Sequence, residues 1–148
     1  MHFPPVNYLA VLVAAIVIFI LGGLWYSPVL FMKKWVALQD RTEEQMRAQA
    51  SSANMPLMYA SAFVTALITA WVMAHLLAYM ASVVDPSVTN LNAGHGAIFG
   101  FVCWLGFAAP TSYATALFSG KPKQLWLIDS AYNLVSFVLA GAILAVWR

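Results

Sequence analysis

Charge is what this 148-residue chain has least of: Asp, Glu, Lys and Arg make up 8% of it, against roughly a quarter of a soluble domain, while hydrophobic residues make up 63%. Water is therefore not its main solvent, and the composition reads as an all-α integral membrane protein whose first partner is the lipid bilayer. A net charge of +2 is too small and too localised to attract nucleic acid, so none is expected as a partner. Cysteine is nearly absent too. Cys103 stands alone, which excludes an internal disulfide, and its apolar surroundings read as those of a small packing residue. No metal-ligand spacing, phosphate loop or nucleophile–base pair occurs, so no metal and no cofactor is expected and enzyme chemistry is disfavoured.

Apolar length is what the chain has instead. Four runs, near residues 6–32, 56–83, 93–118 and 125–147, each reach the ~20 residues that cross ~30 Å of hydrocarbon at 1.5 Å per residue. They predict one domain, residues 1–148, folded as a four-helix transmembrane bundle. The first run has no Lys or Arg before it and exceeds the roughly 7–15 residues of a signal-peptide core, so it is expected to stay in the mature protein.

The few charges orient the bundle. Lys33, Lys34, Arg41 and Arg47 fall between runs one and two, and Lys121 and Lys123 between runs three and four, against Arg148 alone on the other side. The positive-inside rule then places both termini outside and both basic loops in the cytoplasm, the orientation expected in a bacterial inner membrane. Trp25, Tyr26, Trp35, Tyr59, Tyr113 and Trp126 gather toward the inner interface, and Tyr8, Tyr79 and Trp147 toward the outer one. In the longest connection, Thr42-Glu43-Glu44-Gln45 has the form of a capping box and predicts a short helix on the cytoplasmic surface. Residues Asp85 to Asn90 read as a plain turn.

Small residues write the packing code. Ala62, Ala66, Ala70, Ala74 and Ala78 form a ridge at four-residue spacing, flanked by Ser61, Thr65 and Thr69, while Val64, Ile68, Val72, Leu76 and Met80 suit lipid. Lipid tails supply no hydrophobic drive between helices, so close backbone approach and hydroxyl bonds are expected to supply the attraction. Gly96 and Gly100 repeat the device in run three, and Gly141 and Ala145 in run four, whether within one chain or between chains. Gly22-Gly23 before Pro28 and Gly106 before Pro110 predict kinks in runs one and three and hint at a duplicated hairpin.

One acidic residue, Asp129, lies inside an apolar run, and an intramembrane carboxylate is a candidate functional group by default. Asp129, Asn133 and Ser136 share a helical face beside Tyr132. With the spans oriented as above, Trp25, Tyr26, Ser27, Thr111, Asp129, Tyr132 and Asn133 fall in the same half of the membrane and form the candidate binding cluster. The structural reading makes Asp129 a fastener bonded by Tyr26 or Ser27; the sharper reading makes it a binding site or proton-titrating gate. His75 and His95 are placed about 10 Å apart in depth at 1.5 Å per residue, too far for a shared haem, and read as packing and interfacial residues.

Gly22-Gly23-Leu24-Trp25-Tyr26-Ser27-Pro28, Phe107-Ala108-Ala109-Pro110-Thr111 and Trp126-Leu127-Ile128-Asp129-Ser130-Ala131-Tyr132-Asn133 resemble the bacterial family of four-span membrane proteins known as domain of unknown function 1761. The resemblance implies the four-span architecture over nearly the whole chain and implies no reaction. Three functions compete. A small solute or ion could bind in or pass through a homo-oligomeric bundle gated by Asp129; the seams could serve a non-catalytic interaction or scaffold protein; or the chain could act on a lipid-soluble substrate, for which one carboxylate and two separated histidines are thin resources. Proline kinks, paired glycines and a clustered polar face favour the first, while the low polarity of run two favours packing.

Overall fold

The computed structural model describes residues 4–39, 41–84 and 91–147. Over these the chain is helical: α1 (Tyr8–Trp25), α2 (Met32–Ala37), α3 (Glu43–Ser52), α4 (Met55–Val84), α5 (Ala93–Cys103), α6 (Ala109–Phe118) and α7 (Lys123–Val146), with a π-helical turn at Trp104–Ala108 joining α5 to α6. Four apolar stretches are long enough to cross a membrane: α1, α4, the continuous α5–α6 unit, and α7. The turn read at Asp85–Asn90, His2, Phe3 and Arg148 lie outside the described residues.

Helix α7 is the hub. It packs along α5 and α1 and also touches α4, whereas α4 and α5 barely meet. The α5–α7 seam is glycine-made and lies within one chain: a Cβ on Gly96 would stand 2.1 Å from the Gly141 carbonyl oxygen, and one on Gly100 2.1 Å from that of Phe137. Such backbone contact substitutes for the hydrophobic drive that lipid does not provide.

On α4 the alanine ridge is buried at Ala66, Ala70 and Ala74 against α1 and α7, and the Val64, Ile68, Val72, Leu76 and Met80 face is exposed. Ala62 departs from expectation because it opens onto a cavity. The flanking hydroxyls also depart: Ser61 donates to Leu57 O, Thr65 to Ala62 O and Thr69 to Thr65 O, so they bond their own helix. A short hydroxyl side chain reaches the carbonyl one turn back more readily than a neighbouring helix.

The two prolines act differently, which removes the suggested symmetry between the first and third spans. Helix α1 stops at Trp25, short of the expected residue 32, instead of kinking. Pro28 has no N–H and disfavours a helical Ser27; the Leu24 carbonyl instead accepts from both the Ser27 N–H and the Ser27 hydroxyl. Near Pro110 the helix continues, but its hydrogen bonding widens by one residue, with Ala109 N–H reaching the Trp104 carbonyl. Thr111 adds its hydroxyl to the Phe107 carbonyl.

Caps follow the sequence closely. Thr42 Oγ1 accepts from Gln45 N–H at 3.2 Å and Gln45 Oε1 from Thr42 N–H at 3.1 Å, closing the predicted box at the start of α3. Asn92 and His95 form a second box at α5, which gives His95 a capping role. His75 Nδ1 lies 2.9 Å from the Trp71 carbonyl, and Cys103 is buried in the apolar core.

Candidate functional site

Asp129 sits in the second turn of α7 because of how the chain leaves α6. Gly120, at φ 68°, takes the left-handed conformation; its N–H reaches the Leu117 carbonyl and that of Lys121 the Ala116 carbonyl. This is a Schellman stop, and Pro122 just after it starts the next helix. The tight turn folds Lys121 back over α7, where Nζ meets Asp129 Oδ2 at 2.5 Å.

The other carboxylate oxygen takes two donors. Tyr26 Oη donates to Oδ1 at 2.8 Å and Trp35 Nε1 to the same atom at 3.1 Å. A single side chain of α7 thereby holds the end of α1, the short α2 and the α6–α7 turn. Tyr26 lies one residue beyond α1; its burial, and then its bond to Asp129, push its hydroxyl above the usual tyrosine range, so it acts as a donor. The Asp129 and Lys121 side chains keep 26% and 34% exposure, so the pair is at the wall of a cavity and not sealed in the core.

Three indoles grip consecutive residues of α7. Trp25 Nε1 donates to the Ile128 carbonyl at 3.1 Å, Trp35 to Asp129, and Trp104 Nε1 to the Ser130 carbonyl at 3.0 Å. Trp104 reaches Ser130 from the first residue of the π-helical turn. A fourth, Trp126, donates to Ser112 Oγ at 3.1 Å and stacks edge-on with Tyr113, tying α6 to α7.

Two cavities flank this segment. A groove of about 490 Å³ between α6 and α7 is lined by Thr115, Ser119, Lys121, Asp129 and Ser130 among others. A chamber of about 740 Å³ lies on the other side of α7, between it, α1 and α4. Asn133 lines both. Each holds a buried serine hydroxyl with no hydrogen-bond partner among the described residues: Ser130 Oγ at the groove and Ser136 Oγ at the chamber.

Residues 9–145 match the model of the family described as protein of unknown function (DUF1761). The chain belongs to that family. Neither a curated protein nor a solved structure matches it. Four helices long and apolar enough to cross a membrane, counted among the described residues, agree with the architecture expected of a DUF1761 protein.

In this DUF1761 chain the Trp-Tyr-Ser-Pro element divides its work. Trp25 and Tyr26 reach α7, and the Tyr132 ring meets both at a steep angle, at 6.3 and 5.6 Å between ring centroids, with its hydroxyl donated to the Ile18 carbonyl. Ser27 does not join Asp129; it caps Leu24. Thr111 borders the groove, but its hydroxyl is turned to the Phe107 carbonyl for the same local reason. The candidate cluster omitted Trp35 and Lys121, which lie outside the apolar runs. The Gly120-Lys121-Pro122 order, a helix stop followed by a restart, was the available signal for Lys121.

Proposed function

We propose that this multi-pass membrane protein binds a small zwitterionic solute in the groove between α6 and α7. The observation that carries the reading is the Asp129–Lys121 pair on the groove wall, beside the unpartnered Ser130 hydroxyl. A solute bearing both charges can face each member of the pair with its opposite, while a singly charged one leaves a partner unmatched, which is costly away from water. Thr115 and Ser119 add hydroxyls along the same wall.

On the positive-inside reading the groove faces the cytoplasm of a bacterial inner membrane, with both termini outside. The groove shares no lining residue with the pocket at the opposite end, bordered by Pro4, Val6 and Trp147. Passage across the bilayer therefore calls on a rearrangement or on the helices of a second copy, and a homo-oligomer is part of the proposal only for passage. A second reading has its own support: three donors converging on Asp129 suit a fastener in a non-catalytic membrane scaffold.

Tryptophan fluorescence in nanodiscs separates the two, because Trp126 lines the groove and Trp35 is hydrogen-bonded to Asp129 on its wall. Glycine betaine and phosphoethanolamine should give saturable changes that potassium chloride and sodium acetate do not. Asp129→Asn and Lys121→Gln should each weaken that response about tenfold, the equivalent of one charge-assisted hydrogen bond. A response shared by every salt, or none to either zwitterion, would leave the fastener alone standing.

A further inference from the structure

The chamber between α1, α4 and α7 belongs to a different chemistry. Among the described residues its lining carries no carboxylate, ammonium, guanidinium or imidazole, although it lies within reach of Tyr26 and so one side chain away from Asp129. Its polar groups are neutral: Thr65, Thr69, Asn133 and Ser136, with the phenols of Tyr26, Tyr59 and Tyr132. Thr65 and Thr69 already donate to backbone carbonyls, so toward the chamber their hydroxyls offer lone pairs. Ser136 Oγ, at 3% residue exposure, makes no hydrogen bond within 3.5 Å among the described residues, although the Tyr132 hydroxyl is near enough to interact with it.

Apolar surface completes the wall. Phe19, Ile20 and Phe137 line it, and Gly22 and Gly23 leave room where side chains would stand: a Cβ on Gly22 would come within 3.1 Å of the Tyr132 hydroxyl oxygen. Ile20, Tyr59 and Ala62 are exposed at its edge, so the chamber opens sideways to whatever surrounds the helices.

We propose that the chamber binds a neutral, hydroxyl-bearing lipid of the diacylglycerol class. The acceptors of Thr65 and Thr69 match a donated hydroxyl, Ser136 and Asn133 match hydroxyl or ester oxygens, and the aromatic and aliphatic wall takes the first part of the acyl chains. A charged headgroup is excluded by energy, since it would lose water with no opposite charge to meet. The open flank lets the chains continue into the bilayer. The site stands on residues across α7 from the groove and does not depend on the solute reading.

Photocrosslinking of the full chain in nanodiscs tests this, with a diazirine-bearing diacylglycerol and a diazirine-bearing phosphatidylglycerol compared side by side. The diacylglycerol probe should label peptides containing Tyr59, Ala62 and Phe137, and excess unlabelled dioleoylglycerol should suppress that labelling. The phosphatidylglycerol probe should label the Ile68 and Val72 face instead. Ser136→Leu, which fills the chamber and removes the Ser136 hydroxyl, should cut chamber labelling about tenfold, the factor one buried hydrogen bond carries. Thr69→Leu on the opposite wall serves if Ser136→Leu does not fold. Equal chamber labelling by both probes, labelling that excess dioleoylglycerol leaves unchanged, or labelling indifferent to a folded chamber-filling variant would overturn the proposal.

Discussion

Trp35 and Asp129, 94 residues apart in sequence, meet through a 3.1 Å hydrogen bond from indole Nε1 to carboxylate Oδ1. The bond gives α2 a reason to be where it is. Six residues make a helix too short to hold itself together, and the ring contact of Trp35 with Tyr26, at 5.5 Å between centroids, fixes its approach to the same carboxylate. Trp35→Phe keeps that ring contact and deletes the donor. Unfolding in mixed micelles should show a loss of about 1–2 kcal/mol, the range of a hydrogen bond to a charged group at a partly exposed site. In an Asp129→Asn background the same change should lose less, and additive losses would mean the two side chains do not act together.

Replacing the acceptor itself separates shape from charge. Asp129→Leu leaves the Tyr26 hydroxyl, the Trp35 N–H and the Lys121 ammonium without their shared partner. It should destabilise the protein by about 2–3 kcal/mol, less than a fully buried pair because a quarter of the side chain remains exposed. Asp129→Asn keeps an acceptor oxygen and should lose about half as much. Equal melts for the two variants would argue against a donor cluster at this site.

The turn that delivers Lys121 is open to a backbone test. Gly120→Ala puts a Cβ on a residue at φ 68°, which costs about 1–2 kcal/mol in the left-handed region. Gly120→Asn should cost less, since Asn tolerates that conformation and occurs at helix stops. If the turn aims Lys121, Gly120→Ala should also reduce the further loss caused by Lys121→Gln. Thermal melts of the single and double variants measure that coupling.

Those residues also mark how far the sequence could be read. The spans were legible because hydropathy over about 20 residues leaves few alternatives, and Asp129 stood out as the one acid within them. Tyr26 could be paired with it from depth alone. Trp35 and Lys121 could not, because each reaches Asp129 by a change of chain direction: the turn after Trp25 and the left-handed Gly120. Ser27 and Thr111 had the right depth, but short hydroxyls choose the carbonyl one turn away over a partner on another helix. Residue spacing gave the glycine seam, while its location within a single chain needed the three-dimensional packing of α5 on α7.

That seam supplies the sharpest contrast in substitution tolerance. At Gly100 an added methyl would stand 2.1 Å from the Phe137 carbonyl oxygen, and backbone cannot step aside as a flexible side-chain end can. Gly100→Ala should therefore push α5 off α7 and destabilise the bundle by about 1–3 kcal/mol, the usual range for overpacking. Gly106, in the π-helical turn, has nothing within 4 Å of the same position. Gly106→Ala meets open space and removes a residue of poor helix propensity, so it should be neutral or stabilise by up to about 1 kcal/mol. Both changes add one methyl to the same span, so hydrophobicity cannot account for a difference in sign. Unfolding in mixed micelles reads it directly. Equal effects would place the close approach of α5 and α7 in doubt, and with it the packing that holds Ser130 and Ser136 on opposite sides of α7.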